Sequence, residues 1–123
     1  MKKIISLTFF LLFSLTCFAE TYYSKILVRD MTSDYGYVIQ DQYTKDNGNF
    51  FTFLVSTDDY STKSQHISAV KTAISHYSDM TLVDPWSRSE DGTYIAVYDI
   101  ENTDHHFVII VGDNLICIGE FIW

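Results

Sequence analysis

The residues from Asp99 to His106 (Asp99-Ile100-Glu101-Asn102-Thr103-Asp104-His105-His106) concentrate the side chains best able to do chemistry. Asp99, Glu101 and Asp104 offer the hard oxygen ligands that divalent cations such as calcium take. His105 adds an imidazole, so Asp99, Glu101, Asp104 and His105 are the candidate metal ligands, and a divalent metal is the one cofactor these residues could hold. The stretch is not an EF-hand, because the Asp-x-Asp-x-Asp-Gly start and the distal Glu are missing. Two histidines on a strand share a face when they are two positions apart, and His105 and His106 are adjacent, which works against zinc unless a bulge realigns them.

Two other readings of this region compete with a metal. Cys117 and His106 could form a nucleophile–base pair. If Gly112-Asp113-Asn114 closes a three-residue loop, Val111 pairs with Leu115, Cys117 faces Ile109 and His106 faces Glu120. Cys117 then lies roughly 10 Å along the ladder from His106, at about 3.3 Å per residue, beyond the reach of a base for its nucleophile. An inert strand thiol fits better. The remaining reading is a solvated turn beside a cross-strand His106–Glu120 pair, worth a few tenths to about 1 kcal/mol. That pair, together with Tyr35, Tyr37 and Tyr43, forms the candidate binding set, since tyrosine is favoured in interfaces. His66 and His76, ten positions apart on a helical segment, neither stack nor share a face, and both read as helix-surface residues.

Motifs of established catalytic mechanics are missing. There is no Gly-x-Ser-x-Gly, no phosphate-cradling glycine loop, no His-Glu-x-x-His and no Cys-x-x-Cys. With five Gly and one Pro, the chain has few rigid loops on which to mount an active site. Whether the chain is an enzyme stays open, with the residues leaning against it.

The elements that must position these groups follow from periodicity. Thr21 to Asp30 mixes aromatic and β-branched residues and is expected as a strand. Tyr35 to Tyr43 alternates as a second strand, Asn47-Gly48 suggests a type I′ hairpin turn, and Phe50 to Val55 returns. Thr62-x-x-Gln65 is a capping box that opens a helix, with Ile67, Val70, Ile74 and Tyr77 on one stripe. Met80 to Val83 is a short strand closed by Pro85. Thr93 to Ile100, His106 to Val111 and Leu115 to Ile122 form a meander whose last two strands are apolar at almost every position, as central strands buried on both faces are. The expected fold class is α+β: a single domain over residues 20–123, order β-β-β-α-(β)-β-β-β, mainly an antiparallel sheet with one amphipathic helix on a face. The N-terminal hairpin or a partner is expected to cover the other face.

Residues 1–19 read as a secretory signal peptide: Met1-Lys2-Lys3 is the positive start, Ile4 to Phe18 is uncharged, and Cys17-Phe18-Ala19 offers a cleavage site before Glu20. Leu15 stands at the wrong spacing from Cys17 for lipidation. Cleavage removes Lys2 and Lys3 and leaves six bases against sixteen acids, a formal charge of −10 where the full chain carries −8. It also leaves Cys117 without a disulfide partner in an oxidising compartment. Such acidity argues against nucleic acid, whose phosphates need Lys and Arg, and suits a basic partner. No integral membrane segment follows the signal. The expectation is a small periplasmic or secreted acidic module that binds or inhibits a basic protein, without catalysis. A secreted enzyme or divalent-metal protein using residues 99–106, and a subunit of an envelope assembly, are the alternatives.

Overall fold

The computed structural model describes residues 22–58 and 61–122. The element order is α1 (Ser24–Asp34), β1 (Tyr37–Thr44), β2 (Phe50–Ser56), α2 (Lys63–Ile74), β3 (Met80–Arg88), β4 (Tyr94–Ile100), β5 (His105–Val111) and β6 (Leu115–Ile122). All six strands form one antiparallel sheet in the order β1-β2-β6-β5-β4-β3. The α+β class and its antiparallel sheet therefore hold, with two helices among the described residues in place of one. The expected signal peptide, and Thr21 of the expected first strand, lie outside the described residues.

The first element is the main correction. The segment expected as a strand is helix α1, because Ser24, Leu27, Val28 and Met31 recur at helical spacing and all four are buried. As a strand the same residues would have grouped Leu27 with Lys25 and Arg29 on one face. Gly36, at φ 79°, turns the chain from α1 into β1.

The β1–β2 hairpin does not cover the second face; it extends the sheet at its edge, next to β6. Its turn also differs from type I′. The Gly48 amide donates to the Lys45 carbonyl (2.9 Å) and only Gly48 takes positive φ, at 90°, where type I′ would need it at Asn47 too.

Helix α2 opens on the expected capping box: Thr62 Oγ1 accepts from the Gln65 amide (3.2 Å) and Gln65 Oε1 from the Thr62 amide (2.7 Å). Its buried stripe is His66, Val70, Ala73 and Ile74, so His66 faces the core and not solvent. β3 runs through Pro85 to Arg88, and its pairing with β4 shifts register between Leu82 and Asp84 and again before Ser87. An edge strand with bulges can hold a proline that donates no ladder hydrogen bond.

Both helices lie on one face of the sheet. Beneath them alternate strand residues are buried: Leu54 of β2, Ile116 and Ile118 of β6, Phe107, Ile109 and Val111 of β5, and Ala96, Tyr98 and Ile100 of β4. The apolar runs of β5 and β6 are central, as expected, yet apart from Gly119 their buried residues are on the helix side, and the alternate side chains remain half-exposed. No helix among the described residues is long and apolar enough to cross a membrane.

Candidate functional site

The 99–106 residues divide between the two faces of the sheet. The actual register pairs His105 with Ile122, His106 with Phe121 and Phe107 with Glu120. The loop expectation was one residue out, so the proposed His106–Glu120 pair does not form. His105 instead points to the covered face, where its Nδ1 meets Glu120 Oε2. Glu120 is fully buried, and its carboxylate also accepts from the Tyr23 amide (3.1 Å) and the Ser24 amide (2.7 Å) at the start of α1. A carboxylate thus caps a helix terminus from a distant strand, satisfying donors that no intrahelical carbonyl reaches. The Tyr23 ring stands edge-on to His105 at 5.0 Å and screens the pair.

His106 lies on the opposite, open face, where its Nδ1 meets Asp99 Oδ1 of the paired strand. Glu101 and Asp104 are exposed in the β4–β5 turn. The four candidate metal ligands therefore do not converge, and the described residues contain no group of three His, Cys, Asp or Glu side chains able to hold a metal ion.

The tyrosines of the candidate binding set separate in the same way. Tyr37 is buried, with its hydroxyl on His66 Nδ1; Tyr35 is half-buried against the core. His66 Nε2 lies 3.2 Å from the Asp113 carbonyl, which can only accept, so Nε2 donates and Nδ1 accepts from Tyr37. Burial pushes the Tyr37 hydroxyl up to about 12 and holds His66 below its ordinary range, so both stay neutral in these roles. Only Tyr43 is exposed, at 41%, on the open face.

That open face is the largest feature the sequence left unresolved. Register places Phe51, Phe53 and Val55 of β2, Leu115, Cys117 and Phe121 of β6, Val108 and Ile110 of β5, and Ile95 and Val97 of β4 on it. Tyr43 stacks on Phe51 (5.4 Å) and Phe53 (6.0 Å), and Phe51 meets Phe121 edge-on at 5.3 Å. The charged residues that pair into these rows are carboxylates: Asp41 opposite Phe53, Asp84 opposite Val97 and Asp99 opposite His106. Where β3 bulges, a hollow of about 340 Å³ opens between Asp84, Pro85, Ser87, Ile95 and Val97. Cys117 sits in the middle of this surface, paired with Ile110 and Phe53. Burial pushes its thiol up to about 11, which suits an inert cysteine and not a nucleophile.

A second concavity, of about 690 Å³, lies on the helix side at the start of α2 and includes Lys63, Ile67, Arg88, Tyr94 and Asp113. Sequence reasoning missed it because its lining comes from three distant segments. The available signal was the scarcity of bases: two of the six Lys and Arg after residue 20 converge here.

Comparison with known protein families, curated proteins and solved structures returns no match for this chain.

Proposed function

We propose that this chain is an exported, non-catalytic binding or inhibitory module that docks a basic protein on the open face of its sheet. The observation that carries the reading is the one-sidedness of the sheet: among the described residues no helix covers its second face, which is apolar and edged by Asp41, Asp84 and Asp99. An antiparallel sheet can leave one face to water, but that face is then normally polar. Here most of the open-face positions on the four inner strands are aliphatic or aromatic. Exposed apolar area of this kind marks an interaction surface.

The chemistry of the partner follows from the edges. A Lys or Arg side chain can lay its apolar stem on Ile95 and Val97 in the bulge hollow and bring its charge to Asp84. The formal charge of −8 on the whole chain steers such a partner in and repels acidic competitors. The register that separates the candidate metal ligands supports binding over the metal-dependent alternative.

Site-specific photo-crosslinking tests the proposal in the producing cell. A photoreactive side chain at Val108 is expected to capture one protein of basic isoelectric point, while the same group at Ser68 on the exposed side of α2 is not. The captured protein, purified, should bind the chain with an association rate that falls with added salt, and both Asp84→Asn and Val108→Arg should weaken it. Capture of only a second copy of this chain, or a salt-independent association rate, would overturn the reading. Export is checked by the intact mass of the protein recovered from the periplasm or medium, expected to begin at Glu20.

A further inference from the structure

We propose that the cavity at the start of α2 is a binding site for a small organic anion, with its carboxylate or phosphate head held between Lys63 and Arg88 and its apolar body lying on Ile67 and Tyr94. This site is on the helix side of the sheet and is independent of the open-face reading.

The argument rests on where the few cations stand. Of the six bases after residue 20, Lys25 lies over the rings of Tyr22 and Phe50, Lys45 lies over Tyr43, and Arg29 pairs with Asp30. Among the described residues the side chains of Lys71, exposed on α2, and of Arg88 have no hydrogen bond and no ion pair, and of these two the cavity is lined by Arg88. Its guanidinium and the Lys63 ammonium nevertheless close on the same point, since a β-carbon built on Gly92 would lie 3.8 Å from Arg88 Nη2 and 3.5 Å from Lys63 Nζ. Two like charges so close repel each other, and in a chain with twice as many acids as bases Arg88 could have been placed beside a carboxylate.

Among the described residues one carboxylate, that of Asp113, pairs with Lys63, and none pairs with Arg88. Asp113 approaches Lys63 at 3.3 Å, but its side chain is 94% exposed and an exposed pair of this kind is weak. Asp91 is committed to its own turn, where one oxygen accepts from Ser89 Oγ, the Thr93 amide and Thr93 Oγ1.

The frame around the cations is fixed. Lys63 Nζ donates to the Gly92 carbonyl (2.8 Å), which ties the start of α2 to the β3–β4 turn. That turn is closed by Ser89 N to Thr93 O (2.8 Å) and Gly92 N to Ser89 O (3.0 Å). His66 holds the β5–β6 turn from the other side through the Asp113 carbonyl. A head group entering between Lys63 and Arg88 also meets the hydroxyls of Ser61 and Ser64 and the amide of Asn114 at the cavity wall. The α2 terminus itself is already closed by its capping box, so it contributes a favourable dipole and no free first-turn side-chain cap. The planar guanidinium suits a two-oxygen head, and Ile67 with Tyr94 gives the body an apolar seat.

The test is titration calorimetry of the whole protein at constant ionic strength with three probes: benzoate, phenyl phosphate and inorganic phosphate. Saturable binding of benzoate or phenyl phosphate is expected, and which of the two binds more tightly identifies the head. Inorganic phosphate should bind more weakly than phenyl phosphate. Arg88→Gln, an exposed edge-strand change, should weaken binding roughly tenfold or more, as loss of a charged hydrogen-bond partner does. Asp113→Asn, which removes the competing carboxylate, should tighten it. Equal binding by Arg88→Gln, equal binding of inorganic phosphate and phenyl phosphate, or no saturable heat from any probe at millimolar concentration would overturn the proposal.

Discussion

Glu120 and His105 meet diagonally across the β5–β6 pair on the covered face, and the same carboxylate holds the first amides of α1. Strand β6 is thereby fastened to helix α1 by one buried acid. Removing one partner of such an arrangement leaves uncompensated polar groups in the interior.

Glu120→Ala is accordingly expected to cost about 3–5 kcal/mol of folding stability. His105→Ala should cost less, because the α1 amides still hold the carboxylate. Urea unfolding of both single variants and the double variant gives the coupling, and additive effects would mean that the His105–Glu120 contact does not contribute to stability.

His66 makes stability depend on pH. Its folded-state value is held below the ordinary 6.5 by burial, so below about that pH the unfolded chain binds a proton that the folded chain refuses. Its contribution is present above 6.5 and is lost as the pH falls from there toward the folded value. His66→Gln should be less stable than the parent at about pH 7.5, and the gap should narrow toward about pH 5.5. Denaturant titrations at these pH values check it; a gap that stays constant would show that His66 does not titrate this way.

How much of the fold the residues disclose depends on how local each signal is. The capping box at Thr62 and Gln65 and the three strands of the meander rest on neighbouring residues, and all appear where periodicity puts them. Helix α1 was hidden because its stripe is complete only with Met31, one residue past the segment that looked like a strand, and because its N-terminal cap is Glu120, at the other end of the chain. The His106–Glu120 expectation failed by one register step, which is enough to send each side chain to the other face. The open face was legible as apolar alternate positions on β5 and β6, but sequence could not say that no element of the chain covers those positions among the described residues. The Lys63–Arg88 cavity had no local signature, since α2, β3 and the β5–β6 turn meet only in the folded chain.

Gly119 marks a close approach on the open face. A β-carbon there would lie 2.9 Å from the Phe121 ring and 3.1 Å from the Phe51 ring, so both rings must move to admit it. Gly119→Ala is expected to cost on the order of 1 kcal/mol, at the low end for overpacking because half-exposed rings can swing outward. Gly112→Ala is the control: its nearest neighbour would be 3.8 Å away. Thermal melts with near-ultraviolet circular dichroism should show an altered aromatic signal for Gly119→Ala alone. An unchanged signal and melting temperature would mean that the rings are not held over Gly119.

Cys117 turns the open face into a reporter. Its thiol is pushed up to about 11 from an ordinary 9.0, so near neutral pH its thiolate fraction is about 100-fold below that of the unfolded chain. Alkylation of the folded protein by iodoacetamide should be slower than that of the urea-unfolded protein by at least about that factor. Because Cys117 lies between Phe53 and Ile110 in the middle of the uncovered surface, a partner seated there must slow the reaction further. An anion in the Lys63–Arg88 cavity, on the other side of the sheet, should leave the rate unchanged. Mass-spectrometric alkylation rates with the crosslinked partner, and separately with phenyl phosphate, distinguish the two surfaces. A folded protein that reacts as fast as the unfolded chain would show that the Cys117 thiol is not restrained by burial.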